Sequence, residues 1–527
     1  MFKSYRCIPE DIHANIPNTN TLKILHVNIR SLNCNFSALE TILHRLSAPA
    51  DIIILSECWL SKCPTLPGIT GFTSCNSDYN NQNAGVAAYV RENLIYSYDL
   101  VDFNDADCLL LKFSNSMAIL GMYRSPSYKD IDRFLGSLDA TLKGLNNYQN
   151  VAIIGDININ PDSYDHSKAD LYLDVLASYG MLPTYVFPTR KKSCLDHVIL
   201  RSRTSTVTIV LDSLFTDHAP VFFSSDLKLN TNNVKRVRKH IDIESCVQQL
   251  EMTDFSHVLA CDNGDVATDY LIDILSDVVK TNTSVKYIPS RKRIIKPWIT
   301  LGLLKCLRNR DRLFSKTKKQ PENLILQLSY KRYKNFVNNL IKKVKQEYER
   351  AEFLKVKGQS KATWELVRKV GNVCRPHNPA SKLIPPSGDP FSTANLINQY
   401  FANVGKKIAL EITSNSDTMS NYYDSNKSEI PAPLSSMALC GTDCREIEAI
   451  INGLKNASAA GSDGIPTVLI KASKEILIPI LVHIFNLCIS SGIFPKAFKK
   501  ALVSPFYKNG DRGSVSNYRP ISVLPVL

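Results

Sequence analysis

Val151-Ala152-Ile153-Ile154-Gly155-Asp156-Ile157-Asn158 is an apolar run of strand length that ends on a glycine and an acid. The same design occurs twice more: Ile52-Ile53-Ile54 leads into Leu55-Ser56-Glu57, and Thr216-Asp217-His218-Ala219-Pro220 precedes Val221-Phe222-Phe223. Carboxylates held at strand ends, from distant parts of a chain, are how a fold assembles a site for a hard metal ion. Phosphate chemistry is the reaction class that follows.

Outward from these motifs, residues 22–226 read as short strands with few helices. Leu22 to Asn28, Asp51 to Leu55, Gly85 to Val90, Cys108 to Phe113, Met117 to Tyr123, Val151 to Gly155, Leu195 to Leu200 and Pro220 to Phe223 are apolar or alternating runs. Phe36 to Leu46, Ile131 to Leu145 and Ala169 to Tyr179 carry apolar residues at helical spacing. An α/β sandwich of two packed sheets with helices outside fits this pattern, and the strand order stays open.

A length of 527 residues is several times that of one domain, so at least two are expected. The 14 cysteines include no Cys-x-x-Cys, and reduced thiols in an intracellular protein are expected, nuclear or cytoplasmic. No apolar signal core follows Met1-Phe2-Lys3, so secretion is not expected. The most apolar stretch, Ile476 to Ile489, is short for a span and carries Pro479, His483 and Asn486; it reads as a buried helix without a membrane role.

The net charge of +14 is unevenly placed. Residues 1–226 hold 18 Lys+Arg against 23 Asp+Glu, a net of −5, whereas residues 291–369 hold 23 against 6, a net of +17. A strongly basic segment beside an acidic domain suggests that one holds a polyanion while the other acts on it. Within it, Tyr333, Val337, Leu340, Val344 and Tyr348 form one helical stripe, with Lys331, Arg332, Lys342, Lys343 and Lys345 off that stripe. Residues 412–436, rich in Ser, Asn, Asp and Pro, read as a linker.

Cleaving a phosphodiester by in-line attack of water needs a cation on the phosphate, an oriented nucleophile and a group that neutralises developing charge. Glu57 is the candidate Mg2+ ligand. Asp156 would orient or deprotonate the water, with Asn158 donating its amide to a phosphate oxygen. His218 would donate to the phosphate, its other ring nitrogen held by Asp196 of Ser193-Cys194-Leu195-Asp196-His197.

The order Asn28, Ser56-Glu57, Tyr123, Gly155-Asp156-Ile157-Asn158, Ser193-x-x-Asp196, Thr216-Asp217-His218-Ala219-Pro220 resembles the endonuclease/exonuclease/phosphatase superfamily, in its apurinic-endonuclease-like branch. The resemblance implies a four-layer α/β sandwich and dependence on Mg2+ or Mn2+. It implies Asn28, Glu57 and Asp217 near the metal, Tyr123 on the phosphate, and an Asp196–His218 pair. Ser56 stands where many relatives have Gln, and Thr216 where many have Ser.

Further on, Lys499 to Lys508 followed by Asn517-Tyr518-Arg519-Pro520-Ile521-Ser522 resembles the first motifs of reverse transcriptases of non-LTR retrotransposons, and Ala459-Ala460-Gly461-Ser462-Asp463-Gly464-Ile465-Pro466 resembles the segment ahead of them. The whole resembles the second open reading frame of a jockey-like element. That implies an N-terminal extension (1–21), an endonuclease domain (22–226), a basic helical connector and linker (227–436) and the start of a reverse transcriptase fingers region (437–527). It also implies a nick in target DNA whose 3′-hydroxyl primes reverse transcription. Arg124, Lys508 and Arg519 are the expected nucleic-acid contacts, and the connector is expected to hold element RNA. No Asp-Asp dipeptide occurs, so polymerisation by these residues alone is not expected. The alternatives are a cellular abasic-site endonuclease and a catalytically idle nucleic-acid-binding remnant.

Overall fold

The computed structural model describes residues 2–17, 22–63, 65–79, 81–113, 117–128, 130–161, 166–231, 237–287, 296–372, 383, 389–414, 439–456 and 458–527. Most of the linker read at 412–436 lies outside them. Two compact units divide the chain, Met1–Val234 with Ser290–Cys374, and Lys235–Pro289 with Arg375–Leu527.

In the first unit the strands are β1 (Phe2–Cys7), β2 (Leu22–Asn28), β3 (Ile52–Ser56), β4 (Phe72–Asn76), β5 (Ala87–Arg91), β6 (Ser97–Leu100), β7 (Asp107–Phe113), β8 (Met117–Tyr123), β9 (Asn150–Asp156), β10 (Leu182–Pro183), β11 (Asp196–Arg201), β12 (Thr206–Leu211) and β13 (Val221–Ser225). One sheet runs β1-β12-β13-β2-β3-β5-β4 and the other β10-β11-β9-β8-β7-β6. Residues 2–7, read as part of an extension, complete the first sheet by pairing parallel with β12.

Side-chain alternation explains why these runs are apolar throughout. Ile24 and Ile54 face inward to meet Ile119, Ile154 and Val198 of the other sheet. Their neighbours Leu25 and Leu55 face outward against Phe36, Leu39 and Ile42 of the helix Leu32–Arg45. On the far side, Leu120, Ile153 and Ile199 meet Phe134 and Leu138 of the helix Asp132–Gly144 and Tyr172 and Leu176 of His166–Ser178. The result is helix, sheet, sheet, helix. Both faces of each central strand are dry, and each such side chain contributes about 1.5–3 kcal/mol by leaving water.

Strand direction decides where the site falls. β2 and β3 are parallel and β13 runs against β2, so Asn28, Ser56 and the loop before Val221 share one end of their sheet. β8 and β9 are parallel and β11 runs against β9, which sets Tyr123, Asp156 and Asp196 in a row. Gly155 is required by the packing there, because a Cβ at that position would lie 1.8 Å from the Met122 carbonyl oxygen.

Two basic helices, Leu301–Lys319 and Leu324–Lys355, belong to this same unit. Thr300 and Asn323 cap them by accepting from the Leu303 and Leu326 amides. Leu303, Leu307, Val337 and Ile341 form their shared core with Trp298. The pair docks on the sandwich through a buried ion network: Arg45 Nη2 lies 2.7 Å from Asp311, and Arg45 and Arg310 both donate to the Ser213 hydroxyl. Lys345 and Lys296 reach Glu40 at 3.2 and 2.7 Å. Part of the positive charge located by the sequence is therefore neutralised within the unit.

The second unit is mostly helical. Gly264–Thr281, Cys444–Gly453 and Lys474–Ser491 pack around Leu250, Leu271, Leu275, Ile447, Leu477, Leu481 and Ile484. By length and composition the helix Lys474–Ser491 is apolar enough to cross a membrane, and its Leu477, Ile480, Leu481 and Ile484 sit in this core. The strands Leu502–Tyr507 and Tyr518–Val523 pair antiparallel, with Phe506 opposite Arg519.

Candidate active site

Asn28 joins the two sheets. Its Nδ2 donates to Glu57 Oε1 at 3.0 Å and to Asp156 Oδ2 at 2.7 Å. An amide nitrogen between two carboxylates fixes the orientation of the group, which leaves Asn28 Oδ1 buried with no hydrogen-bond donor. Asp156 is fully buried and its carboxyl is pushed well above the usual range, first by burial and then by the charge of Asp196.

On the other side of the site, His218 Nδ1 and Asp196 Oδ2 are 2.8 Å apart. Burial opposes charge on His218, but Asp196, then Asp156 and Asp217, outweigh it and lift the ring to about 9. His218 is thus an imidazolium at neutral pH. Burial pushes Asp196 upward, but His218 and His26 outweigh it and hold the carboxyl below the usual range. Thr189 Oγ1 accepts from the Asp196 amide and orients the backbone there.

Tyr123 is buried; burial, then Glu57 and Asp156, push its phenol upward, so it stays a hydrogen-bond donor. Asn158 sits in the left-handed region at φ +54, and its Nδ2 donates to the Arg124 carbonyl at 2.8 Å. One of its two amide hydrogens is therefore committed to the loop. Left-handed φ values also occur at Arg30, Ser31, Glu57 and Trp59, so the backbone of this rim is strained where the chemistry sits.

Asp217 stands outside the group formed by Glu57, Asp156 and His218, and the Arg30 guanidinium lies between it and Glu57, 3.6 Å from Glu57 Oε2. The Asp217 oxygens are taken by Arg30 Nη1 at 2.8 Å and by Arg190 Nε and Nη2 at 2.9 and 2.8 Å. Arg124 is not placed to meet nucleic acid: it is buried, donates to the Tyr128 and Asp130 carbonyls at 2.8 and 3.2 Å, and lies over the Phe134 ring. Lys508 and Arg519 are exposed on the second unit's hairpin. Three residues of the site were not singled out from sequence. His26 lies 3.7 Å from Asp196 Oδ1 and donates or accepts at Ser56 Oγ, burial driving it down to about 4; Arg30 and Arg190 grip Asp217. The signal for two of them was present, since His26, Asn28 and Arg30 alternate along one strand and its end.

Among the described residues, Glu57, Asp156 and His218 bring possible ligand atoms within 4.8 Å of one another. His218 Nδ1 is engaged by Asp196 at 2.8 Å, which suits the ring to a hydrogen-bonding role beside the site. The orphaned Asn28 Oδ1 and the crowding of Asp156 against Glu57 fit a divalent cation, held by Glu57 and Asn28 with Asp156 adjacent.

Residues 25–226 match the family described as the Endonuclease/Exonuclease/phosphatase family. The helix, sheet, sheet, helix sandwich of these residues is the fold of that family. Similar solved structures include a 3′-5′ exonuclease from Neisseria meningitidis, 18% identical over 39% of this chain and 100% of that one, with a TM-score of 0.33. The endonuclease domain of TRAS1, a telomere-specific non-LTR retrotransposon, is 15% identical over 39% and 99%, with a TM-score of 0.32. An AP endonuclease from Archaeoglobus fulgidus is 15% identical over 39% and 100%, with a TM-score of 0.31.

Proposed function

We propose that the chain is a Mg2+- or Mn2+-dependent DNA endonuclease of a non-LTR retrotransposon, which nicks nuclear target DNA and exposes a 3′-hydroxyl. The observation that carries this is the opposition of two groups at one rim: an Asn28–Glu57–Asp156 cluster in which Glu57 is half-buried and, 3.9 Å from Asp156 Oδ2, the His218 ring held by Asp196. Asp156 orients the attacking water and accepts its proton; its raised affinity for protons suits it to that role. His218 and Tyr123 donate to the phosphate oxygens as negative charge builds. Asp196 keeps the His218 ring charged and fixed. A divalent cation bound by Glu57 and Asn28 would supply further charge neutralisation on the phosphate. The retrotransposon context is supported by the Asn517-Tyr518-Arg519-Pro520 segment.

Supercoiled plasmid incubated with the full chain and Mg2+ tests the proposal. The unmutated chain is expected to yield relaxed circles, and Glu57→Ala and Asp156→Ala are each expected to abolish them. No relaxed product from the unmutated chain, or equal nicking by both variants, would sink it.

A further inference from the structure

The helix Leu324–Lys355 reaches the catalytic rim directly. Lys334 Nζ donates to the Thr216 carbonyl at 2.7 Å, one residue from Asp217 and two from His218. Lys345, eleven residues on, donates to Ser37 and pairs with Glu40. An interval of eleven residues is three helical turns, about 16 Å along the axis and about 20° around it, so both lysines point at the sandwich.

Lys331 and Lys342 share the same interval, about 60° around the helix from that docked pair. Both are exposed, and the helix carries no Asp or Glu from 324 to 346. They stand along the seam between helix and sandwich, beginning less than one turn from the residue that touches the catalytic loop. Duplex DNA carries one charge per about 1.7 Å of axis, so any duplex seated at the active site would bring several phosphates past a row of this length.

We infer that this seam is a binding surface for the backbone of the DNA duplex flanking the cut, with Lys331 and Lys342 as its phosphate-binding side chains. The inference rests on the nuclease reading above and gives the basic helices a different partner from the RNA expected of them in sequence. Their docking on the nuclease sandwich favours DNA: the strand being cut must pass this rim, whereas an RNA need not.

The test uses the full chain with Lys331→Gln and Lys342→Gln together. Binding of a fluorescent DNA duplex and of single-stranded RNA of equal length is followed across a salt series in chelator, so that nothing is cut. The slope of log affinity against log salt for the duplex is expected to flatten by about 0.9 for each phosphate that the protein ceases to neutralise, hence about 1.8 for the pair. A second chain carries Arg332→Gln and Lys343→Gln, which lie about 100° further around the helix, on the side away from the sandwich, and is expected to flatten the slope less. An unchanged duplex slope, equal flattening by both double variants, or a change confined to RNA would overturn the inference. Because binding is read without cutting, a chain that binds this way yet never nicks refutes the proposed function alone.

Discussion

Asp196→Asn keeps the shape of a buried side chain and removes the charge that faces both His218 and His26. In the unmutated chain His218 titrates at about 9 against an ordinary 6.5, a gap worth about 3 kcal/mol in favour of the charged ring. Burial by itself lowers the ring, so with Asp196 neutral His218 is expected to titrate near or below its ordinary value, with Asp156 and Asp217 leaving a small upward pull. A folded-state value above the unfolded one means that the stability from this pair is fully present below about pH 6.5. It is lost as pH rises through about 9. The stability gap between the two chains should therefore be widest in mild acid, at most about 3 kcal/mol, and narrow across that window. Histidine NMR titration of the metal-free chains gives the ring values, and denaturant midpoints across pH give the gap. A His218 that still titrates near 9 in the variant, or a gap constant from about pH 6 to 9, would refute the pairing.

Asp311→Asn removes one side of the buried Arg45–Asp311–Arg310 network and should cost about 3–5 kcal/mol by denaturant unfolding of the first unit, because the buried Arg310 guanidinium loses its carboxylate while Arg45 keeps Glu10. Gly155→Ala should cost about 1–3 kcal/mol and displace Asp156, since the new methyl meets the Met122 carbonyl; nicking should fall along with the thermal midpoint. Asn28→Ala should weaken Mn2+ binding, read by electron paramagnetic resonance, about 10- to 100-fold, as the bridge between Glu57 and Asp156 disappears.

The sandwich was legible because its signal is local: continuous apolar runs ending on Glu57, Asp156 and the Asp217-His218 pair mark strands covered on both faces. The Asp196–His218 pair was legible for the same reason, each residue standing at a strand end. What the sequence hid depends on long-range pairing. Nothing local reveals that Phe2–Cys7 pairs with Thr206–Leu211, or that Asp217 is claimed by Arg30 and Arg190. Arg124 was expected to meet nucleic acid, yet strand alternation after Tyr123 turns it to the opposite face, against Phe134. The basic segment showed its charge but not its docking, because Arg45, Glu40 and Ser213 are far from it in sequence.

The chemistry of the nick tests the central claim most directly. Water attack at phosphorus with departure of the 3′-oxygen leaves a 3′-hydroxyl, so plasmid nicked by the full chain in Mg2+ should be extended by an added DNA polymerase without phosphatase treatment. Nicks that accept no nucleotide until a 3′-phosphate is removed would contradict the account.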